Sequence, residues 1–254
     1  MGGTLRLLRR WNIIVSTVMP DAAISSGSIR ISVVIPVYNE GAALTQLVPE
    51  ITHQLNLFAP SDWEILVVDD GSTDEISAVS QMPGVKLLRH TQRTGSGAAR
   101  KTGSRAAAGQ IIAWIDGDGT YSAVSLTAAL TLLNGGDQVI GARSTDYGYL
   151  RLLRLAAKNG TARITGFLWT TSIPDLNSGL RVFRRESLLA WIDELPDGFS
   201  CTTTATLAAL NHRQRVLFLP ISYRPRHAES SSKFHPLIDT LRLWRAVWRC
   251  WCRR

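Results

Sequence analysis

Cysteine is scarce in this chain. Three thiols, Cys201, Cys250 and Cys252, occur in 254 residues. They make no disulfide framework and fit a reducing compartment. No run of eighteen or more apolar residues occurs, so no transmembrane helix is expected. No repeat of 20–50 residues is visible, which excludes solenoids and propellers. Arg6, Arg9 and Arg10 precede "WNIIVSTVM", but this apolar stretch is short and no small-residue cleavage site follows cleanly. Residues 1–29 therefore read as a basic N-terminal extension. Acidic residues are also in deficit: Asp and Glu number 20 against 28 Lys and Arg, for a net charge of +8. From Arg213 to Arg254 ten basic residues face only Glu229 and Asp239. Such a block suggests an anionic partner: nucleic acid, a membrane surface or a phosphorylated substrate.

Several familiar site signatures are missing as well. "TGSGAARKTG" (94–103) resembles a phosphate loop but lacks the Gly-Lys-Ser/Thr ending, and Arg100 replaces the third glycine of a dinucleotide fingerprint. It reads as a glycine-rich start to a closely packed Ala helix, with Arg100 or Lys101 as candidates to approach a diphosphate. An EF-hand beginning at Asp116 fails because its twelfth position is Thr127. Cys201 has no Cys/His partner pattern, and His53 and His90 read as surface or strand-end residues.

What is present is a regular alternation. With 45% apolar and 19% charged residues the chain can bury a core. Apolar strands are expected at 31–38, 63–70, 85–90, 111–116 and 138–142, with helices at 41–57, 74–80, 97–108 and 122–133 between them. "LRVF" (180–183) is a further short strand, and 216–226 is an extended pair or a strand bent at Pro220. This pattern predicts an α/β fold with a mainly parallel sheet and helices on both faces. Ligands of such sheets bind at the carboxyl ends of the strands, where Asn39-Glu40, Asp69-Asp70 and Asp116-Gly117-Asp118 fall.

Asp116 and Asp118 are the sharpest signal. Two carboxylates at one strand end repel each other unless a cation neutralises them. Their oxygens suit a hard divalent ion with open positions for phosphate and water. Asp69, in phase with Ile65 and Val67, is the nucleoside candidate, because neighbouring strand residues face opposite ways. Ser72 and Glu75 have the spacing of a capping box before the short helix.

In order, "VVIPVYNE", "ILVVDDGSTD", "GSGAARKTG", "WIDGDGT" and "DLNSGLRVFRRE" resemble the family 2 glycosyltransferases. Within them the chain is most similar to the polyprenyl-phosphate sugar synthases. The resemblance implies a GT-A (Rossmann-like) domain over 30–235, a nucleotide-sugar donor, Mg²⁺ or Mn²⁺, and inversion at the sugar carbon. Pro36, Tyr38, Glu40, Val67 and Asp69 match nucleotide contacts. Asp116, Gly117 and Asp118 match the donor and metal motif, and Thr120 stands where many relatives place a third, Gln ligand. Arg226 and Lys233 resemble the Arg…Ser-Lys element that meets the donor and acceptor phosphates. Asp175 orients the acceptor, serves as base, or only caps its loop.

Residues 236–254 predict an amphipathic helix with a tryptophan edge and an arginine edge, which either lies on an anionic membrane surface or packs its Trp face on the domain or on another subunit. Together these place a metal-dependent, inverting glycosyltransferase in the cytoplasm, peripheral at the cytosolic face of a membrane, with a polyprenyl phosphate acceptor. A nucleic-acid partner would leave the acidic strand ends unexplained, so none is expected. The rival readings are transfer to a soluble or protein hydroxyl, where Asp175 would be essential, and a non-catalytic nucleotide-sugar sensor.

Overall fold

The computed structural model describes residues 31–143, 165, 169, 171–198, 200–224, 244–245 and 247–252. A seven-stranded sheet organises them. Its strands are β1 (Ile31–Val37), β2 (Trp63–Asp69), β3 (Val85–Arg89), β4 (Ile111–Trp114), β5 (Gln138–Arg143), β6 (Arg181–Arg184) and β7 (Val216–Ile221), in the order β3-β2-β1-β4-β6-β5-β7. All neighbouring pairs are parallel except those of β6, which runs antiparallel to both β4 and β5. The expected mainly parallel, doubly covered sheet is therefore observed.

The side-chain period of two sorts β1 between two cores. Val33, Ile35 and Val37 pack with Ile65, Val67, Ala113 and Ile115 beneath α1 (Gly41–Phe58) and α3 (Ala123–Leu132). Val34 packs with Leu66, Val68, Ile112, Trp114 and Phe183 on the opposite face. There α2 (Ser96–Ala106) covers β1 and β2, and α4 (Arg185–Leu189) and α5 (Cys201–Asn211) complete the layer. Pro49 lies inside α1 on its exposed side. The helix continues through it because Leu44, Leu47, Val48, Ile51 and Leu55 form one buried stripe.

Two prolines sit within strands without breaking the sheet. Val34 O accepts the Ile115 amide at 3.2 Å where β4 leaves β1. Pro36, two residues on, faces the same side, where no ladder amide is required of it. Residues 216–221 form a single strand at the sheet edge, with Pro220 inside it, so the single strand and not the pair is observed. The short helix expected at 74–80 is a 3₁₀ turn, Ser77–Gln81, whose first position has no side-chain cap. Ser72 instead accepts the Asn39 amide at 3.0 Å, so the capping-box expectation fails.

Candidate active site

The β1 and β4 ends meet as the alternation predicts. A Cβ built on Gly117 would lie 3.1 Å from Glu40 Oε2 and 3.3 Å from the Pro36 carbonyl, so the Glu40 carboxylate lies beside the Asp116–Asp118 turn. Arg93 stacks on the Tyr38 ring at 4.2 Å. Asn39 adopts a left-handed conformation, φ 55°, which asparagine tolerates. Its Oδ1 accepts the Thr73 amide at 2.8 Å, tying the β1 end to the β2 end. Asp74 accepts the Gly41 amide at 2.7 Å and so serves the N-terminus of α1.

Asp116 is half-buried and ion-paired with the buried Arg100 guanidinium. Arg100 is carried by α2 and lies over Trp114 at 5.8 Å. Of its nitrogens, Nη1 donates to the Ser96 carbonyl while Nε has no hydrogen-bond partner. Across from it, Gly179 makes room for Asp116: a Cβ there would fall 2.0 Å from Asp116 Oδ2. The Gly179 amide donates to Tyr121 Oη at 2.8 Å. Burial pushes the Tyr121 hydroxyl well above its ordinary value, so it stays protonated.

Asp118 is buried. Its Oδ1 accepts the Thr120 hydroxyl at 2.6 Å and the Thr120 amide at 3.1 Å. Thr120 is fully buried and directs its proton at Asp118. Through these two bonds it fixes the orientation of that carboxylate. Its carbonyl accepts the Arg224 amide at 2.9 Å. Tyr223 packs edge-on against Tyr121 and beneath the Arg143 guanidinium. The start of the segment leading to Arg226 is therefore pinned to the aspartate turn. Arg226, Lys233 and the loop 227–235 lie outside the described residues, as do 1–29 and most of 236–254.

Other expectations are redrawn. Asp175 is fully buried and bound by Arg143 Nε at 2.7 Å, Arg143 Nη2 at 3.0 Å and the Asn177 amide at 3.1 Å. These donors occupy both of its oxygens, and the loop-holding alternative describes its contacts. Val67 lies wholly in the core, which removes its side chain from the crevice. Asp69 is also buried; its Oδ1 accepts the Ser72 amide at 2.7 Å. Arg89 Nε stands 2.7 Å from Asp69 Oδ2 but off the hydrogen-bond direction, leaving that oxygen charge-paired without an aligned donor. Asp70 faces the other way, as strand alternation requires, and accepts the Thr94 and Gly95 amides and His90.

The glycine loop is a packing device. The Gly97 and Ala98 amides at the start of α2 donate to the Asp197 carbonyl at 2.7 and 3.0 Å. A Cβ on Gly97 would fall 2.1 Å from the Pro196 carbonyl. The helix terminus is thus spent on a neighbouring loop. Lys101 joins it, with Nζ 3.0 Å from the Leu195 carbonyl and 2.5 Å from Asp197 Oδ1. Arg100 alone of the two cations reaches the crevice. Sequence reading also passed over Arg181, fully buried and donating to the Ser178 and Leu176 carbonyls and to Thr206. Burial pushes its guanidinium down to about 10. It holds the Asp175–Leu180 loop onto α5, a role that only a buried arginine inside an apolar strand could have signalled. His53 is exposed on α1, and Cys201 is buried with its thiol pushed up by burial, as expected of inert residues.

A mostly parallel sheet with acidic side chains gathered at its carboxyl ends defines the nucleotide-binding α/β class. Residues 32–191 match glycosyl transferase family 2, and the chain belongs to that family; it is a glycosyltransferase. It is 27% identical over 212 residues to glycosyltransferase AglJ of Haloferax volcanii, covering 82% of this chain and 68% of that one. It is 29% identical over 214 residues to the polyprenol monophosphomannose synthase of Mycolicibacterium smegmatis, covering 78% of each. Among solved structures, glucosyl-3-phosphoglycerate synthase of Mycobacterium tuberculosis, in complex with Mn²⁺, UDP and glucosyl-3-phosphoglycerate, superposes with a TM-score of 0.67. That match has 20% identity and covers 87% of this chain and 80% of that one. The GT-A architecture is shared.

Proposed function

We propose that this enzyme transfers a sugar, with inversion, from a nucleotide-sugar to a polyprenyl phosphate at the cytosolic face of a membrane. The observation that carries the donor side is the Asp116–Asp118 pair at the end of β4, beside Glu40. Arg100 pairs with Asp116, one of these three acids. The donor set is hard oxygen, which fits Mg²⁺ or Mn²⁺. Among the described residues no group of three or more His, Cys, Asp or Glu is arranged to hold an ion. Asp116 and Asp118 would hold it as two protein ligands, with donor phosphate and water completing its shell. The ion would supply charge stabilisation for the departing diphosphate.

The chain's own groups do the remainder. Thr120 holds the Asp118 carboxylate in place, Gly179 leaves room for that of Asp116, and Arg100 offsets the Asp116 charge. Tyr38 and Glu40 border the donor site, and Asp69 Oδ2 is suited to accept an N–H from the base once Arg89 moves aside. Arg226 and Lys233 are proposed to meet the phosphates of donor and acceptor. A phosphate acceptor is already ionised near neutral pH and needs no strong base. Transfer to a hydroxyl would need one, and the engagement of Asp175 by Arg143 favours the phosphate. Catalysis then rests on positioning and electrostatics.

A screen of labelled nucleotide-sugars with polyprenyl phosphate and divalent metal tests this reading. Label should enter the organic phase only when metal and lipid are both present. Label found only on water-soluble hydroxyl acceptors would overturn the lipid assignment, and donor binding without turnover on any acceptor would favour a sensor.

A further inference from the structure

The described C-terminal residues, 244–245 and 247–252, are helical and divide into three faces. At about 100° per residue, Val247 and Cys250 share one edge. Both are buried, at 2% and 6% exposure, against Trp169, Ile173, Leu176 and Leu207. The Cys250 carbonyl accepts Asn211 Nδ2 at 2.7 Å, and Asn211 Oδ1 accepts the Trp169 indole N–H at 2.8 Å. The helix is therefore seated on α5 through an edge that contains no Trp of its own.

Trp244, Trp248 and Trp251 fall along a second line, at i, i+4 and i+7. They are 37%, 65% and 41% exposed. The Trp248 and Trp251 rings lie 5.7 Å apart, making a continuous aromatic ridge. Arg245 and Arg249, both exposed, form the third line beside it. The obvious use of an apolar helix stripe is to pack on the domain, but Val247 and Cys250 already serve that purpose. Exposing three indoles to water is unfavourable and calls for an occupant.

We infer that this ridge is a docking surface for an anionic lipid bilayer. An indole combines an apolar body with an N–H donor and settles at the headgroup boundary, while adjacent guanidinium groups attract lipid phosphates. Charge complementarity selects the bilayer: the ridge is flanked by two exposed arginines on a chain of net charge +8. Because Val247 and Cys250 remain on the domain, the helix lies along the surface, with the ridge penetrating only to indole depth. Leu176, in the cluster that seats the helix, adjoins Asp175 and shares the loop of Gly179, which abuts Asp116. Docking would thus bring the loop that borders Asp116 toward the headgroup plane. This deepens the lipid-acceptor reading, while resting on exposure and charge that are independent of it.

The full chain should be sedimented with vesicles of phosphatidylcholine containing phosphatidylglycerol, and with phosphatidylcholine alone. The wild type should bind the anionic vesicles more tightly, with its tryptophan emission shifted to the blue. A Trp248→Ser/Trp251→Ser double variant should weaken binding by about tenfold or more. An Arg245→Gln/Arg249→Gln variant should lose about fivefold per arginine, on anionic vesicles only. Nucleotide binding and transfer to detergent-dispersed polyprenyl phosphate should persist in both. Vesicle binding equal in wild type and the Trp variant would overturn the proposal, as would a Trp-dependent dimer without vesicle binding. If transfer in detergent fails while vesicle binding holds, the lipid-acceptor reading fails and the docking surface stands.

Discussion

Thr120 joins Asp118 to the segment beyond β7. Its hydroxyl donates to Asp118 Oδ1 at 2.6 Å, and its carbonyl accepts the Arg224 amide at 2.9 Å. One buried residue thereby fixes a metal-motif carboxylate and the base of the chain that leads to Arg226. Thr120→Val keeps the shape and removes the hydroxyl. It should lower transfer by about 10–100-fold and raise the metal concentration needed for half-maximal rate. Thr120→Ser should restore most of both. A Val variant with unaltered metal dependence would show that the hydroxyl positions nothing.

Asp116→Asn and Asp118→Asn should each reduce transfer by at least about a hundredfold. The circular dichroism of Asp118→Asn should match wild type. Asp116→Asn removes a charge facing Arg100, so a modest loss of melting temperature is expected there as well. Full activity of both variants in EDTA would remove the case for a metal at this pair.

Gly179→Ala tests how closely Asp116 is confined. The new methyl would overlap the Asp116 carboxylate, so either that group or the Asn177–Leu180 loop must move. Overpacking of this kind costs about 1–3 kcal/mol. Transfer should fall by about a hundredfold even where the variant is fully folded, because the displaced group is itself in the crevice. Kinetics at a temperature well below the melting midpoint separate the two effects.

Asp175→Asn should act mainly on stability. It leaves the buried Arg143 guanidinium without its counter-charge, a loss of about 3–5 kcal/mol. Thermal denaturation measures this. At a temperature where the variant is folded, its pH–rate profile should keep the wild-type shape. Disappearance of the acid limb of that profile would instead identify Asp175 as the base of a hydroxyl transferase.

Glu64 predicts a pH dependence of folding. Burial raises its pKa, but the Ala108 amide, Lys86 and Ser32 outweigh that and leave the carboxyl below its ordinary value. Its charged form is therefore favoured by folding. The stabilisation is complete above the unfolded-state pKa and is lost as pH falls through the lower, folded-state value. Glu64→Gln should cost about 1–3 kcal/mol at pH 7 and flatten the acid side of the stability curve. Urea melts between neutral and acid pH would show it. An unchanged acid slope would mean that other carboxylates govern acid unfolding.

Much of the site was legible because strand ends are legible. The run Ile111–Ile115 closes on Asp116, and the period of two correctly turned Asp69 and Asp70 to opposite sides. Neither the order of strands nor the reversed direction of β6 follows from such local patterns. Loop contacts were equally hidden. The glycines of "TGSGAARKTG" admit either a phosphate or a neighbouring backbone, and the Asp197 carbonyl decides the matter by occupying the amides of α2.

The chain by itself determined the α/β alternation, the family motifs and the placing of carboxylates at strand ends. Those depend on hydrophobic period and residue order, which are local. Only the tertiary structure decided which polar groups those carboxylates meet. Arg100 reaches Asp116, Arg143 claims Asp175, Thr120 supports Asp118, and Val247 with Cys250 seats a helix whose tryptophans face outward. Each pairing joins separate elements, and a buried charge or an exposed indole is defined by what packs against it.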